Sequence, residues 1–165
     1  MSKIGLFFIL LVSGCCLSCM EKKQGGMVEN AFSVAERQLA AQLKAVPEPV
    51  AFPRTIRNGE LYTTKMNDWT EGFYPGCLWY IYENNKDESW KQSALQWTEA
   101  LEPLKRLTNH HDIGFLMYCS FGNAYRLTGN EAYKNVLIES ARSLCTRFNE
   151  KTGRIAIRQI VITIP

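Results

Sequence analysis

Two stretches decide the fold of this chain: GFYPGCLWYIY at residues 72–82 and GFLMYCSFGNAY at residues 114–125. Each stretch begins with Gly-Phe and continues as an apolar run. Each is followed by a second motif, DESWK at 87–91 and NEAYK at 130–134. The Gly-Phe pairs stand 42 residues apart and the Glu-x-aromatic-Lys motifs 43. Such a spacing, with two helices in each unit, is typical of an array of helical hairpins.

The boundaries of the helices follow from their end residues. Asp87 and Asn130 are good N-cap residues, and the Glu that follows each of them places negative charge in the first turn, where the helix dipole favours it. Residues 51–67 show no helical period, so we predict a loop there and no sheet. The expected helices span residues 28–46, 71–84, 88–107, 111–127 and 131–149.

Helical hairpins stack either as an open solenoid or as a closed ring of inner and outer helices. The tetratricopeptide solenoid repeats at about 34 residues, whereas this unit is longer and carries aromatic residues at its helix starts. We therefore predict an all-α fold, an incomplete (α/α)6 toroid, because the predicted helices are too few to close a ring.

The first residues read as an export signal. Lys3 precedes IGLFFILLV at residues 4–12, an apolar run too short to span a bilayer. Val12-Ser13-Gly14-Cys15 matches the bacterial lipobox, which makes Cys15 the predicted lipidation site, with Cys19 as a second candidate. More than one acyl chain gives stable membrane attachment. We expect a lipoprotein of the bacterial cell envelope, facing the periplasm or the cell surface; an ordinary secretory signal with incidental cysteines is the alternative.

These features divide the chain into four segments. Residues 1–19 are the predicted lipoprotein signal peptide, 20–27 a polar tether, 28–155 the partial (α/α)6 barrel domain, and 156–165 an anomalous tail rich in isoleucine.

Composition excludes several classes of function. The net charge of +3 is weak and scattered, so we expect no nucleic-acid partner. Beyond the signal, Cys77, Cys119 and Cys145 form no C-x-x-C motif, which indicates neither a structural zinc nor a disulfide framework. The sequence has no G-x-S-x-G, P-loop, H-E-x-x-H or Rossmann motif, so nucleotide and serine-hydrolase readings are excluded.

Candidate chemistry lies just before the first helix of each repeat, at 68–73 and 109–115. In a toroid the loops that lead into the inner helices open on one mouth, so equivalent positions converge on one pocket. Asp112 is either an N-cap or a carboxylate that acts as a general acid or base beside His111. Trp69 is either core or a platform for a sugar ring. The two adjacent histidines are the only ones in the chain, so we predict no metal site.

These motifs resemble a known family. WTEGFYPG at 69–76 followed by Leu78-Trp79, and HHDIGF at 110–115, closely resemble the unsaturated glucuronyl hydrolases, glycoside hydrolase family 88. The resemblance runs from about Trp69 to Gly153. It implies an (α/α)6 barrel whose partner is a short oligosaccharide left by a polysaccharide lyase, with a 4,5-unsaturated uronic acid at its non-reducing end.

The resemblance also implies a reaction and the residues that perform it. A carboxylic acid protonates C4 of the vinyl ether while water adds at C5, and the resulting hemiketal opens and expels the rest of the sugar. No metal or other cofactor is required. Of the family's two aspartates, the one in its H-D-x-G-F motif matches Asp112, which is thereby the catalytic candidate, with His111 and Trp69 as substrate-binding candidates.

The second aspartate of the family, its proton donor and water activator, lies in an I-D-N-M-M-N context. After Gly153-Arg154-Ile155 the chain continues as AIRQIVITIP at 156–165, without Trp, Asp or Glu. We therefore expect a truncated, inactive form that carries one of the two carboxylates, and whether the chain is an enzyme stays open. The alternative function is a lipid-anchored helical-repeat module that binds proteins, which predicts that soluble uronic-acid sugars do not bind.

Overall fold

The computed structural model describes residues 26–66 and 68–156. The predicted signal peptide, most of the tether and nearly all of the 156–165 tail lie outside the described residues. The chain divides into two compact units after Ala31. In the first unit, residues 26–31 contain the beginning of helix α1, and the second unit, from Phe32 onward, contains every element that follows α1.

Helices make up most of the described structure. They are α1 (Met27–Ala45), α2 (Phe73–Asn85), α3 (Glu88–Glu99), α4 (Ile113–Met117), α5 (Asn123–Thr128) and α6 (Glu131–Cys145). The shorter elements are strands β1 (Phe52–Arg57), β2 (Glu60–Thr64), β3 (Phe148–Asn149) and β4 (Arg154–Ile155), with a 3-10 turn at Glu102–Arg106. The prediction of an all-α fold built of helical hairpins is confirmed. Within 26–66 and 68–156, none of the helices has both the length and the apolar character that a membrane span requires.

The two predicted hairpins, α2 with α3 and α4–α5 with α6, have the same turn chemistry. Asp87 accepts a hydrogen bond from the backbone N–H of Ser89 at 2.8 Å, and Asn130 accepts one from that of Ala132 at 3.0 Å. Both predicted N-caps are therefore confirmed. Two further contacts recur 43 residues apart. The hydroxyl of Tyr82 donates to Glu88 at 3.3 Å, and that of Tyr125 donates to Glu131 at 3.1 Å. The same glutamates form ion pairs of 3.0 Å, Glu88 with Lys91 and Glu131 with Lys134.

Each hairpin ends its first helix with a residue in the left-handed region. Lys86 has φ 59° in the first hairpin and Gly129 has φ 67° in the second. The amide of Lys86 donates to the carbonyl of Tyr82, and that of Gly129 to the carbonyl of Tyr125, both at 2.8 Å. Glycine adopts this region without a steric penalty, whereas a side chain at Lys86 is strained there.

We expect Lys86→Gly to raise the free energy of unfolding by about 0.5–1 kcal/mol and Gly129→Ala to lower it by a similar amount. Chemical denaturation followed by far-UV circular dichroism measures both. Lys86→Ala is the control, because it removes the amine that lies 5.6 Å from the Tyr82 ring but keeps the Cβ. If Lys86→Gly and Gly129→Ala changed the free energy of unfolding in the same direction, the left-handed backbone would not be the cause.

The core lies between the two hairpins and is dominated by aromatic and aliphatic side chains. The indole N–H of Trp79 on α2 donates to the hydroxyl of Thr98 on α3 at 3.0 Å, so this buried polar pair is satisfied within the first hairpin. Side chains with less than 2% exposure include Phe52, Leu78, Trp79, Trp97, Leu101, Ile113, Leu116, Met117 and Phe121.

The beginning of α2 approaches α4 and the turn after it closely because glycine lies at both contacts. A Cβ built on Gly72 would lie 2.7 Å from the Cα of Leu116, and one on Gly76 would lie 2.8 Å from the carbonyl oxygen of Cys119. Both neighbours are backbone atoms, which cannot rotate away as a side chain can. The start of α2 is thereby held directly against the start of the second repeat.

A π-helical turn, Tyr118–Gly122, joins α4 to α5, and the residues at both joins keep right-handed helical dihedral angles. The hydroxyl of Ser120 donates to the carbonyl of Leu116, and the side-chain amide of Asn123 donates to the carbonyl of Cys119 at 2.8 Å. Side chains thus donate hydrogen bonds to backbone carbonyls at the widened turn. The predicted helix at 111–127 is present, with this widened turn inside it.

The prediction of a loop at 51–67 with no sheet is wrong. Strands β1 and β2 pair antiparallel across Asn58-Gly59, both with positive φ (52° and 83°). Asn-Gly is the strongest short-range signal for a two-residue hairpin turn, and it stood in the sequence. Phe52 anchors the hairpin in the core, with its ring centroid 5.1 Å from that of Trp97.

The predicted helices at 88–107 and 131–149 are too long. Helix α3 ends at Glu99, because Pro103 has no N–H to continue the α-helical pattern and occupies the start of the 3-10 turn instead. Helix α6 ends at Cys145, and Phe148–Asn149 then pairs with Arg154–Ile155. The other three helices begin and end within two residues of the predicted limits.

Candidate active site

The starts of α2 and α4 bring three aromatic side chains together. The ring centroid of Trp69 lies 5.9 Å from that of Phe73 and 6.0 Å from that of Phe115, and the two phenylalanine rings are 5.8 Å apart. All three keep 38–48% of their surface exposed. We call these residues the mouth cluster. Phe73 and Phe115, which are 42 positions apart in the repeat, thus meet at one place, as expected for the loops of a toroid, and each keeps part of its surface exposed.

Asp112 lies at the N-cap position of α4, but its carboxylate does not cap the helix. Its backbone carbonyl accepts the amides of Phe115 (2.9 Å) and Leu116 (3.3 Å), while its side chain makes no capping hydrogen bond. The carboxylate instead lies 3.1 Å from Nε2 of His111, and both side chains are partly exposed. The observed side-chain contact of Asp112 is therefore with His111 and not with the amides at the start of α4.

His110 lies beside Asp112 in the segment before α4. Its Nδ1 accepts the backbone N–H of Asp112 at 3.2 Å, and its ring stacks on that of His111 with centroids 5.9 Å apart. His110 also lies close enough to Asp68, in the first repeat loop, to act on its ionisation. The contact between the rings of Trp69 and Phe115 shows in the same way that the segment before α2 lies next to the start of α4.

Asp68 is held by hydrogen bonds and charge. Its carboxylate accepts the amide (3.0 Å) and the hydroxyl (2.6 Å) of Thr70 and pairs with the guanidinium of Arg54 at 2.7 Å. Burial acts to raise the pKa of Asp68, but the Thr70 hydrogen bonds and the charges of Arg54 and His110 outweigh it, so the pKa is lowered from its ordinary 3.8. This carboxylate is therefore a fixed negative charge near neutral pH.

A cleft of about 530 Å³ opens beside the mouth cluster. Its lining includes Trp69 and Phe73 together with Arg54 and Thr55 of β1. A volume of this size suits a small ligand. Within 26–66 and 68–156, no group of three or more His, Cys, Asp or Glu side chains is placed to hold a metal ion.

Neighbouring residues of the first repeat segment differ in burial. Trp69 is exposed at the mouth, whereas Tyr74 is buried, with its ring centroid 4.7 Å from that of Trp97. Glu71 is only 1% exposed, so it lies in the interior and not on the mouth surface.

Sequence reasoning missed three residues. Phe73 and Phe115 belonged to the Gly-Phe motif but were not selected, although their 42-residue spacing was the available signal. Arg54 had no signal at all, because it lies in the segment that was predicted to be a loop.

The fold and the mouth define a class of protein: helical hairpins stacked as in an α/α toroid, with aromatic and carboxylate side chains where the inner helices begin.

No protein-family model matches the sequence. Known proteins do. The chain is 39% identical to the unsaturated glucuronyl hydrolase of Formosa agariphila, over 81% of this chain and 32% of that protein. It is 36% identical to an unsaturated chondroitin disaccharide hydrolase of Streptococcus agalactiae, over 78% and 33%.

Solved structures agree with the sequence relatives. An unsaturated glucuronyl hydrolase specific for heparin matches with a TM-score of 0.71 and 38% identity, over 76% of this chain and 34% of that chain. A mutant of the Streptococcus agalactiae enzyme complexed with dGlcA-GalNAc6S matches with a TM-score of 0.65 and 29% identity, over 73% and 33%. This chain is a relative of the unsaturated glucuronyl hydrolases, glycoside hydrolase family 88, and it spans about a third of the length of the relatives it matches.

Proposed function

We propose that this chain forms part of the substrate mouth of an unsaturated glucuronyl hydrolase, which releases 4,5-unsaturated uronic acid from lyase-generated oligosaccharides. One observation carries the proposal: the carboxylate of Asp112, which contacts His111 and does not cap α4, lies three residues before Phe115, whose ring contacts Trp69 of the other repeat. An acidic group and a sugar-stacking surface thus occur together. Homology to the glucuronyl hydrolases supports the same assignment.

In the proposed reaction the vinyl ether of the sugar is hydrated. A carboxylic acid donates a proton to C4, water adds to C5, and the hemiketal so formed opens and releases the remaining sugar as an alcohol. We assign Asp112 and His111 to the reacting uronic acid, because their paired polar atoms are exposed at the mouth. We assign Trp69 to stacking on a sugar ring. Neither a metal nor another cofactor takes part.

The 165 residues contain one of the two carboxylates that this reaction needs, since no segment resembles the I-D-N-M-M-N context of the second. We therefore expect the chain alone to bind an unsaturated disaccharide without converting it.

Binding and turnover are tested together by titrating an unsaturated glycosaminoglycan disaccharide and by following its absorbance with time. We expect saturable binding, about tenfold weaker for Trp69→Ala, and no loss of absorbance. Phe148→Ala is the matched control, since Phe148 is an exposed aromatic residue outside the mouth cluster. Turnover by the 165-residue chain at ordinary enzymatic rates would refute the need for a second carboxylate. Failure to bind the sugar would instead favour a protein-binding repeat module.

We further propose that the chain is a lipoprotein of the bacterial cell envelope, attached through Cys15. The support is the sequence Val12-Ser13-Gly14-Cys15 after a short apolar run. Metabolic labelling with an alkyne fatty acid tests this. Cys15→Ser is expected to abolish labelling, whereas Cys19→Ser leaves it unchanged; the reverse result would move the anchor to Cys19.

A further inference from the structure

Strand β1 contains a bulge at the residue that faces the mouth. Pro53 pairs with Thr63 and Thr55 pairs with Tyr62, so Arg54 is an extra residue between two consecutive pairs. In a regular strand, residues two apart point to the same face, and Arg54 would follow the buried Phe52 towards the core. A bulge changes the direction of the side chain, and bulges of this kind occur next to active sites.

The redirected guanidinium of Arg54 meets the loop before α2. Its Nη1 lies 2.7 Å from Oδ2 of Asp68, while Oδ1 of Asp68 accepts both the amide and the hydroxyl of Thr70. Asp68 therefore uses one oxygen for the hairpin and the other for its own loop. Trp69 lies between Asp68 and Thr70, which are joined by these two hydrogen bonds.

The geometry points to Arg54 as a positioning residue for the sugar-stacking tryptophan. We infer that the ion pair with Asp68 fixes residues 68–70, so that Trp69 holds its ring beside Phe73 and Phe115 with one face open to the ligand. The role of Arg54 in sugar binding rests on the proposed function, whereas its effect on the placement of Trp69 is independent of that function.

The test combines a structural readout with a binding readout in the full chain. The indole N–H resonance of Trp69, identified by its loss in Trp69→Phe, reports the placement of the ring, and hydrogen exchange of the Thr70 amide reports the order of the loop. We expect Arg54→Ala to shift that resonance, to speed Thr70 exchange by at least tenfold, and to weaken binding of the unsaturated disaccharide by about tenfold.

Three further variants separate positioning from general damage. Asp68→Asn keeps an oxygen that accepts from Thr70 but removes the charge, and combining it with Arg54→Ala should add nothing beyond either change alone. Arg54→Lys should restore most of the binding, because the observed contact uses a single nitrogen. The matched control is Arg57→Ala, which removes the same charge from the same strand, where the guanidinium lies over the Tyr62 ring at 3.6 Å.

The inference is overturned if Arg54→Ala leaves the Trp69 resonance and Thr70 exchange unchanged, or if Arg57→Ala alters both as strongly. If the wild-type chain binds no disaccharide while Arg54→Ala still shifts the indole resonance, the proposed function fails and the positioning role stands. The partly exposed ion pair contributes little to stability, so Arg54→Ala is expected to remain folded.

Discussion

Asp112→Asn is expected to lower the turnover of an unsaturated disaccharide by about 10²–10⁴-fold in a longer form of this chain that carries both carboxylates. The substitution keeps the size and shape of the side chain but removes its acid–base chemistry. Its effect on stability should be below about 1 kcal/mol, because the carboxylate makes no capping hydrogen bond and its contact with His111 is partly exposed. Loss of absorbance by the unsaturated bond measures the activity.

A second aspartate in the chain provides the control for this prediction. Asp87 does cap a helix, through its bond from the amide of Ser89, and it lies at a hairpin turn away from the mouth. Because asparagine also caps helices well, Asp87→Asn should keep both stability and activity. Normal turnover by Asp112→Asn would show that Asp112 has only a structural role at the start of α4.

Gly72→Ala is expected to destabilise the fold by about 3 kcal/mol, or to prevent folding. The added methyl group would meet the backbone of Phe115 and Leu116, and a backbone inside a packed helix cannot yield without moving the whole helix. Gly72 has helical dihedral angles, so the loss would not come from the conformation of residue 72 itself. Chemical denaturation followed by far-UV circular dichroism gives the free energy of unfolding.

Gly114→Ala is the matched control, since Gly114 occupies the equivalent position of the second repeat. Among the described residues, nothing lies within 4 Å of a Cβ built on Gly114. Its replacement should change the free energy of unfolding by less than about 0.5 kcal/mol. Equal effects at the two glycines would contradict the close backbone contact between Gly72 and α4.

Much of the helical framework was predictable because its determinants are local. Asp87 and Asn130 cap their helices by accepting hydrogen bonds from backbone amides two residues away. Local signals were also available where the prediction failed. Asn58-Gly59 indicated the β1–β2 hairpin, and Pro103 indicated the end of α3.

The candidate site was predictable only in part. The repeat indicated that residues before the two inner helices meet, and Trp69, His111 and Asp112 all lie there. Whether Asp112 caps α4 could not be read from its neighbours, because a helix start offers the same amides to a capping and a non-capping carboxylate. The side-chain dihedral decides, and it depends on the surroundings in three dimensions.

The sequence by itself determined the helical hairpins, their 42-residue repeat, the two caps and the membership of the mouth motifs in one family pattern. These depend on residues within one or two helical turns of each other, where spacing fixes geometry. Only the tertiary structure decided that Gly72 lies against backbone while Gly114 does not, that Tyr74 is core while Trp69 is exposed, and that Arg54 reaches Asp68. Each of these outcomes depends on which distant segment packs against the residue, and identical local motifs carry no information about that.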